Sequence, residues 1–361
     1  MAGPLQRAFM AKSRFSGPTV GTLPIPTPGK DQLLVKIHSA ALNPVDPYMA
    51  FTGFEVHSYP AVFGHDGAGV VEEVGANVKN FTKGDKVMFA GDTFRTEMHT
   101  LAEYAIADPA VTSKIPSNVT FEEASTIPLV LSTAAIGLYG VLKRNNGGAG
   151  LVAPWEEGGR NKYQNEPIVV LGGSSGVGQS AIQLAKMSGF DPIITTSSSH
   201  NIQYCKAAGA THVIDYHTTP YGPAFVKAVS SITNGPVKVI FDCVSDSNSQ
   251  RASWSILAPG GKLILALPQS SVGTPGVEGK DGKRVVTPYG SVYNDEVGGD
   301  TRLGKSMFAS LENMVRAGDI KPSRVELLPG GLNGIADGMR KLMAHKVSGG
   351  KLVARIGDTP Q

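Results

Sequence analysis

Several classes of protein are disfavoured by what this chain lacks. It has only two cysteines, Cys205 and Cys243, in 361 residues, which excludes a disulfide framework and a zinc lobe built on clustered cysteines. Cys205 lies in a helical pattern and Cys243 in an apolar strand pattern, so we predict two buried, unreactive thiols. Lysine and arginine never form runs longer than two, and the net charge is only +3. The sequence therefore offers no basic surface for a nucleic-acid partner.

Long apolar segments are also missing. No run of about 18 apolar residues predicts a membrane span, and the opening MAGPLQRAFM has no apolar core of signal-peptide length. We expect no membrane partner and a cytoplasmic location. The composition, 41% hydrophobic and 17% charged, is that of a globular protein, and the length allows two domains.

The hydrophobic pattern changes along the chain. Residues 1–135 are β-rich, with strand patterns such as QLLVKIHSAAL and AGVVEEVG, and a capping box at Thr120 and Glu123 opens a helical stretch. Residues 136–300 alternate strands with helices, which predicts a doubly wound parallel sheet. The closing strand GKLVARIG in residues 301–361 is expected to return to the first domain. Residues 144–166 form a Gly-rich insertion, predicted to be a surface excursion, with a functional lid as the alternative.

The strongest functional signal is VVLGGSSGVGQSAIQLA, residues 169–185. A strand, a Gly-rich turn and a helix follow in the order that brings backbone amides and the positive helix end to a pyrophosphate. Gly173, Ser175 and Gly178 occupy the three glycine positions of the usual spacing, so the middle glycine is a serine. We expect a nucleotide site in which the hydroxyls of Ser174 and Ser175 donate to the phosphates.

The end of the second strand of this fold favours a phosphorylated nicotinamide cofactor. An NAD site places a carboxylate there to hold the ribose hydroxyls, but residues 195–201 read TTSSSHN. Asp191 precedes the strand and lies at the wrong end. Hydroxyls and an amide can bind a 2′-phosphate, and Lys206 in the following helix can add positive charge. The sequence therefore predicts NADP rather than NAD.

The segment GHDGAGVVEEVGANV, residues 64–78, followed by KGDKV, resembles the medium-chain dehydrogenase/reductase superfamily. That resemblance implies a GroES-like domain, residues 1–135 completed by 301–361, and a Rossmann domain, residues 136–300. Zinc-dependent members hold their metal with a Cys, this His and a second Cys, and these positions are Asn43, His65 and Leu129 here. Val45 replaces their relay hydroxyl. We therefore expect no metal, and His65 beside Asp66 is interpreted as a structural pair.

Asn43-Pro44-x-Asp46-x-Tyr48 resembles the zinc-independent branch, quinone oxidoreductases and enoyl reductases, and most of all the fungal trans-acting enoyl reductases of polyketide synthesis. The shared features include SSHN, the DY that ends the third strand, and SGGKLVARI. The resemblance implies NADPH contacts at Pro44, Val45, Asp46, Pro47, Ser174, Ser175, Gly176, Val177, Ser198, Ser199, His200, Asn201, Tyr216, Ala266, Leu267, Val353 and Ala354. It implies a substrate wall of Val130, Leu131, Ser132, Thr133 and Ala134.

The expected activity is reduction of the double bond of an α,β-unsaturated carbonyl, in an acyl thioester or another small molecule, with a polyketide synthase as the implied partner. Without a Lewis acid, alkoxide chemistry loses its stabilising group, whereas an enolate needs only hydrogen-bond donors. Tyr48 is the candidate proton donor, and Thr133 or Ser132 a secondary donor. Tyr48 as an apolar wall, an NADPH:quinone oxidoreductase and a non-catalytic NADPH-binding protein stay open. A monomer and a homodimer are both compatible with the sequence.

Overall fold

The computed structural model describes residues 3–143, 146–233 and 235–361. Two compact units are present: residues 1–129, 308–316 and 322–361 form unit 1, and residues 130–307 and 317–321 form unit 2. The strands are β1 Leu5–Ala11, β2 Thr19–Pro24, β3 Leu33–Ala41, β4 Ala61–Val62, β5 Asp66–Val74, β6 Lys86–Ala90, β7 Tyr104–Ala107, β8 Thr112–Lys114, β9 Ile168–Leu171, β10 Ile193–Ser197, β11 His212–Asp215, β12 Val237–Asp242, β13 Leu257–Leu265, β14 Arg284–Val286, β15 Val325–Leu328 and β16 Lys351–Arg355. The helices are α1 Val45–Thr52, α2 Phe121–Ala124, α3 Pro128–Tyr139, α4 Gly176–Ser188, α5 Ile202–Ala208, α6 Pro223–Ile232, α7 Ser247–Ile256, α8 Thr301–Arg316 and α9 Ile335–Met343.

Unit 1 is built on antiparallel pairing. Its larger sheet has the order β15-β16-β3-β5-β6-β8, with β7 also on β3, and a smaller sheet has the order β2-β1-β4. The central strand β3 places Ala41 opposite both Asp66 of β5 and Val353 of β16. This register brings the start of α1, the start of β5 and the last strand to one place. The closing strand β16 pairs with β3 in this sheet.

Unit 2 is a six-stranded parallel sheet with the order β11-β10-β9-β12-β13-β14. Strand β9 is buried along its whole length, as expected for a sheet covered by helices on both faces. Because the strands are parallel, β9, β10, β11, β12 and β13 all end at the same edge, where ligands bind in open α/β sheets. The predicted fold class, a β-rich domain with a doubly wound parallel sheet, is confirmed.

Several element boundaries differ from the sequence prediction. The capping box at Thr120 is present, but the single helical stretch predicted after it is two helices, α2 and α3, with Pro128 opening the second. Proline has no N–H to donate, so it cannot continue a helix from within, but it is tolerated in a first helical turn. Pro128 therefore ends the first helical stretch and begins the second. Strand β13 begins at Leu257, five residues before the predicted KLILALP. Its pairing with β12 is irregular near Val237.

The insertion after α3 is held down by aromatic residues. The Trp155 indole N–H donates to Ser306 Oγ at 3.0 Å and its ring packs edge-on against Tyr139 at 5.4 Å. The Tyr163 ring stacks on Phe190 at 4.9 Å. Residues 144 and 145 of the predicted insertion lie outside the described residues. These anchors favour a packed surface excursion over a lid.

Both cysteines are free thiols, with Cys205 buried and Cys243 half-buried. Burial, reinforced by the neighbouring Asp242 charge, raises the pKa of the Cys243 thiol, which opposes formation of the reactive thiolate. In the ranges that the structure describes, no helix is both long and apolar enough to cross a membrane.

Candidate active site

The carboxylate of Asp66, at the start of β5, joins three segments of unit 1. Its Oδ1 accepts the backbone N–H of Leu129 at 2.7 Å, and its Oδ2 accepts the side-chain amide of Asn43 at 2.8 Å. Its third partner is the ammonium of Lys351, at the start of β16. Asn43 and Leu129 are two of the three positions that carry zinc ligands in the zinc-dependent enzymes that the sequence resembles. One carboxylate therefore holds both of these segments in place.

Lys351 and Asp66 form a buried ion pair. The side chains are 6% and 0% exposed, and Lys351 Nζ also donates to Asn43 Oδ1 at 2.9 Å. Two charges without water need each other and further hydrogen bonds, because an unpaired buried charge is strongly destabilising. Asn43 supplies one hydrogen bond to each charge through the two ends of its amide. The three side chains form one closed polar cluster.

His65 is paired with Asp46 and not with the neighbouring Asp66. Its Nδ1 lies 2.8 Å from Asp46 Oδ1, and Asp46 Oδ2 accepts the Asn43 backbone N–H at 2.7 Å. Since a carboxylate only accepts, Nδ1 carries the proton of this bond. On the other side of the ring, Nε2 lies 3.3 Å from the Thr93 hydroxyl oxygen. The expected pairing of His65 with Asp66 is wrong, because Asp66 is bonded to Asn43, Leu129 and Lys351 instead. Asp46, predicted as a cofactor contact, is fully buried in this structure, and its role toward a cofactor stays a prediction.

A second histidine, His99, lies beside His65 with ring centroids 5.2 Å apart. Burial, with the neighbouring His65, lowers the pKa of His99 to about 4. The neutral ring donates from Nδ1 to the Val62 carbonyl, which leaves the buried Nε2 without a hydrogen-bond partner in the described part of the chain. His99 lines a narrow pocket together with Thr93, Met49 and Phe94.

The donor set at these positions does not fit catalytic zinc. Tetrahedral catalytic zinc takes three protein ligands and a water, and Asn43, His65 and Leu129 provide a single imidazole. The Asn43 side chain is already bonded to Asp66 and Lys351. Among the described residues no group of three or more His, Cys, Asp or Glu side chains is placed to hold a metal.

In unit 2, the turn between β9 and α4 has the shape of a phosphate loop. A Cβ on Gly173 would lie 2.0 Å from Thr195 Oγ1, and one on Gly178 would lie 2.3 Å from the Gly172 carbonyl oxygen. Gly172 also has φ +74°, a conformation that glycine alone adopts readily. The amides of Gly176 and Val177 lie in the first turn of α4, ahead of its first intrahelical bond, and can donate to a phosphate.

Ser175, which stands in place of the middle glycine, caps the N-terminus of α4. Ser175 Oγ accepts the Gly178 N–H at 3.1 Å and donates to the Gly172 carbonyl at 2.8 Å. It is the N-cap residue of α4, a position that serine favours. The expectation that its hydroxyl donates to a phosphate is wrong for this state, because its proton is held by Gly172.

The other predicted cofactor residues fall into two groups. Ser198–Asn201, Tyr216, Ala266 and Leu267 follow directly after β10, β11 and β13, at the same edge of the parallel sheet as the Gly-rich turn. At the end of β10, Ser198 Oγ lies 3.3 Å from His200 Nε2 and accepts from Asn201 Nδ2 at 3.4 Å. In unit 1, residues 44–47 open α1, and Val353 and Ala354 lie in β16 beside β3.

Two family models match the chain: the alcohol dehydrogenase GroES-like domain over residues 29–117 and the zinc-binding dehydrogenase over residues 176–272. The trans-enoyl reductase resD of Aspergillus sclerotiorum is 30% identical over 350 residues, covering 92% of this chain and 95% of that protein. The chain belongs to the medium-chain dehydrogenase/reductase superfamily. It is an oxidoreductase of this superfamily, whose members use a nicotinamide cofactor.

Solved structures agree with the fold of this medium-chain dehydrogenase/reductase. A putative zinc-dependent alcohol dehydrogenase from Rhizobium etli superposes with a TM-score of 0.78 at 21% identity, covering 98% of each chain. The quinone oxidoreductase from Coxiella burnetii superposes with a TM-score of 0.70 at 24% identity, covering 98% of this chain and 99% of that one. At these identities the likeness shows the fold alone.

The predicted catalytic and substrate residues of this reductase differ widely in exposure. Tyr48, on α1, is 54% exposed. In α3, Thr133 is partly exposed, whereas Leu131, Ser132 and Ala134 have no exposed surface and Val130 has little. In this state Thr133 is the member of the predicted wall that presents the most surface to a ligand. The assignment of these residues stays a prediction.

Sequence reasoning missed three polar residues of the site. Lys351 was noticed only as part of the closing strand, and neither Thr93 nor His99 was singled out. Lys351 is 285 positions from Asp66, so only the pairing of β16 with β3 reveals the contact. The one available signal is that Lys351 begins an apolar strand, in which Leu352–Ala354 are all buried. Lysine is almost never buried without a partner, so its place in such a strand indicates a partner elsewhere in the chain.

Lys351→Met keeps the length of the side chain but removes its charge. We expect this variant to destabilise unit 1 by about 3–5 kcal/mol, because it leaves Asp66 buried and unpaired. The double variant Lys351→Met/Asp66→Asn should recover much of this loss. Urea unfolding followed by circular dichroism measures both. Lys83→Met, which breaks the exposed pair with Glu72, is the matched control and should have little effect. Equal stability of Lys351→Met and wild type would contradict the role of the pair.

Proposed function

We propose that this protein is an NADPH-dependent, zinc-independent enoyl or enone reductase, which transfers hydride to the β-carbon of an α,β-unsaturated carbonyl. The observation that carries the proposal is the closed cluster of Lys351, Asp66 and Asn43. It includes one zinc-ligand position, Asn43, and bonds the backbone N–H of another, Leu129. The relative named a trans-enoyl reductase supports the choice of a carbon-carbon double bond. An acyl thioester as substrate and a polyketide synthase as partner, which the sequence resemblance implies, belong to the same proposal.

The loss of metal ligands favours double-bond reduction over alcohol oxidation. Oxidising an alcohol requires stabilisation of an alkoxide, which zinc supplies as a Lewis acid. Reducing a conjugated double bond spreads the negative charge onto a carbonyl oxygen, where neutral hydrogen-bond donors suffice. The hydroxyls of Tyr48, Thr93 and Thr133 are donors of this kind.

The end of β10 supports NADPH over NADH. Ser197 to Asn201 carry hydroxyl, imidazole and amide groups and no carboxylate. The nearest acidic position in the sheet is Asp215, opposite Ser197, and its Oδ1 accepts the His217 backbone N–H at 2.9 Å. A 2′-phosphate in this place would have donors at Ser198, His200 and Asn201.

The bound nicotinamide supplies the hydride, and the protein must supply the proton for the α-carbon. The sequence candidate is the Tyr48 hydroxyl. The structure adds a second, the Thr93 hydroxyl, which is bonded to His65 and through it to Asp46. A carboxylate, an imidazole and a hydroxyl in this order can pass a proton along one chain. With a proton on both ring nitrogens, His65 would donate from Nε2 to the Thr93 hydroxyl. That proton would replace the one that Thr93 passes to the α-carbon, and His65 would be left as a neutral imidazole.

The first test is a substrate panel. Purified protein with NADPH should reduce an enoyl thioester and a simple enone, and 1,10-phenanthroline should not lower the rate. Elemental analysis should find less than about 0.1 zinc per chain, because one imidazole is too few ligands for stable binding. Oxidation of NADPH by a quinone alone would instead indicate the quinone oxidoreductase, and NADPH binding without turnover a non-catalytic protein. Chelator-sensitive activity would contradict zinc independence.

The cofactor preference has its own test. Ser198→Asp places a carboxylate where the 2′-phosphate is proposed, and like-charge repulsion should weaken NADPH binding by about 10- to 100-fold. NADH binding should change little. Fluorescence titration with both cofactors measures the ratio, and Ser198→Asn is the neutral control. Equal losses for NADPH and NADH would place the 2′-phosphate elsewhere.

The two proton donors can be separated by substitutions that remove only the hydroxyl. If Thr93 supplies the proton, Thr93→Val should lower kcat by about 10²-fold or more, the size of a general-acid contribution. Thr93→Ser should retain most of the activity, and Tyr48→Phe should change mainly KM. A large loss of kcat in Tyr48→Phe with an active Thr93→Val would assign the donor to Tyr48. Solvent deuterium isotope effects on kcat check the assignment.

A further inference from the structure

A groove on unit 2 lies away from the residues assigned to cofactor or substrate. It has a volume of about 510 Å³ and runs between α6 and α7, and its size is within the range of small-molecule sites. Asn248, Ala252 and Ser255 face it from α7 at positions that share one side of a helix. Because these side chains are short, the two helices leave space between them that larger residues would fill.

The groove is positively charged. Lys227 enters from α6 and Arg251 from α7, and no acidic side chain lines the groove in the described part of the chain. The residues within α6 and α7 include no Asp or Glu. The N-cap residue of α7 is Asp246, whose Oδ1 accepts the backbone N–H groups of Asn248 and Ser249. Arg251 Nη2 donates to the neutral Asn248 Oδ1 at 2.8 Å, which orients the guanidinium without neutralising it. A ligand with one or two negative charges therefore fits these walls.

The groove also has an apolar wall with a fixed aromatic ring. Tyr221 packs edge-on against the buried Phe225, with ring centroids 5.4 Å apart and the planes at 81°. Its hydroxyl lies 2.8 Å from Thr196 Oγ1, so the ring is held at both ends. Val226 and Ala252 line the groove beside it. These surfaces match a ligand whose body is apolar or aromatic.

Two hydrogen bonds connect this wall to the Gly-rich turn. Tyr221 bonds Thr196, and the same Thr196 Oγ1 accepts the backbone N–H of Gly172 at 2.9 Å. Gly172 is the left-handed residue of the turn that presents the first amides of α4. Tyr221 and the Gly-rich turn therefore share one hydrogen-bond partner, the hydroxyl of Thr196.

We propose that the groove between α6 and α7 binds a small organic anion, an aromatic or acyl carboxylate or phosphate, and that its occupancy changes the affinity of the Gly-rich turn for the nucleotide. The anionic group lies between Lys227 and Arg251, and the apolar body lies against Tyr221. The second half of the proposal rests on the proposed function, in which that turn binds NADPH. Coupling of this kind is reciprocal, so the nucleotide changes the anion's affinity by the same factor.

Binding is tested on the cofactor-free protein, so that it can fail independently of the proposed function. Phenyl phosphate, benzoate and inorganic phosphate are titrated by isothermal calorimetry. Phenyl phosphate or benzoate should bind saturably, more tightly than inorganic phosphate, and the tighter of the two identifies the anionic group. Lys227→Met/Arg251→Met should weaken binding by about tenfold or more, because both charge-assisted contacts are lost. Lys238→Met, which removes an exposed charge from β12, is the matched control and should bind like wild type.

The absence of saturable binding by both organic anions would overturn the site. So would equal binding by the double variant, or inorganic phosphate binding as tightly as phenyl phosphate, which would deny the apolar wall a role.

Coupling is tested with a second variant. In the wild type, saturating phenyl phosphate should shift the Kd for NADPH, measured by fluorescence. Tyr221→Phe keeps the ring but loses the bond to Thr196, so it should still bind phenyl phosphate and lose the shift. An unchanged Kd in the wild type, or the same shift in Tyr221→Phe, would overturn the coupling. A failure of NADPH to bind at all would contradict the proposed function, and the anion titration would still decide the groove.

Discussion

The buried pair of Lys351 and Asp66 is the interaction on which the arrangement of unit 1 depends. It joins the last strand, β16, to the start of β5, and through Asn43 and the Leu129 amide it reaches the start of α1 and of α3. These are the segments that carry the predicted unit 1 cofactor contacts and the beginning of the predicted substrate wall. A pair of charges without water tolerates little displacement, because each lost hydrogen bond leaves a buried charge uncompensated. The pair thus fixes geometry more than it adds stability.

The same cluster explains how a dehydrogenase frame can persist without its metal ligands. In zinc-dependent relatives a metal ion joins three ligand segments. Here a carboxylate joins two of the corresponding segments, and His65 has a partner of its own in Asp46. The polar groups around the former ligand positions therefore satisfy one another. A site without these ligands suits the proposed chemistry, in which the transition state needs only hydrogen bonds.

The nucleotide turn shows a comparable exchange of roles. The departure from the glycine spacing at Ser175 suggests a different contact with phosphate, but its hydroxyl caps α4 and is held by the carbonyl of Gly172. The phosphate donors left by this arrangement are backbone amides. A polar side chain in a phosphate loop is thus as well explained by helix capping as by ligand binding, and the hydrogen-bond partners decide between the two.

The sequence by itself determined the two-domain fold class, the nucleotide turn and the loss of two zinc ligands, since each depends on residues close together in the chain or on a segment of recognisable pattern. Only the tertiary structure decided which polar side chains are bonded to each other. His65 is bonded to Asp46 and not to Asp66. Lys351 forms an ion pair with Asp66, and the Thr93 hydroxyl lies within hydrogen-bond distance of His65. The tertiary structure also decided that Pro128 divides one predicted helix into two and that Ser132 is buried. These contacts depend on strand register and packing between distant segments, which local periodicity does not encode. The reason is physical: a hydrophobic pattern specifies which face is buried, whereas a buried charge is specified by a partner that can lie anywhere in the chain.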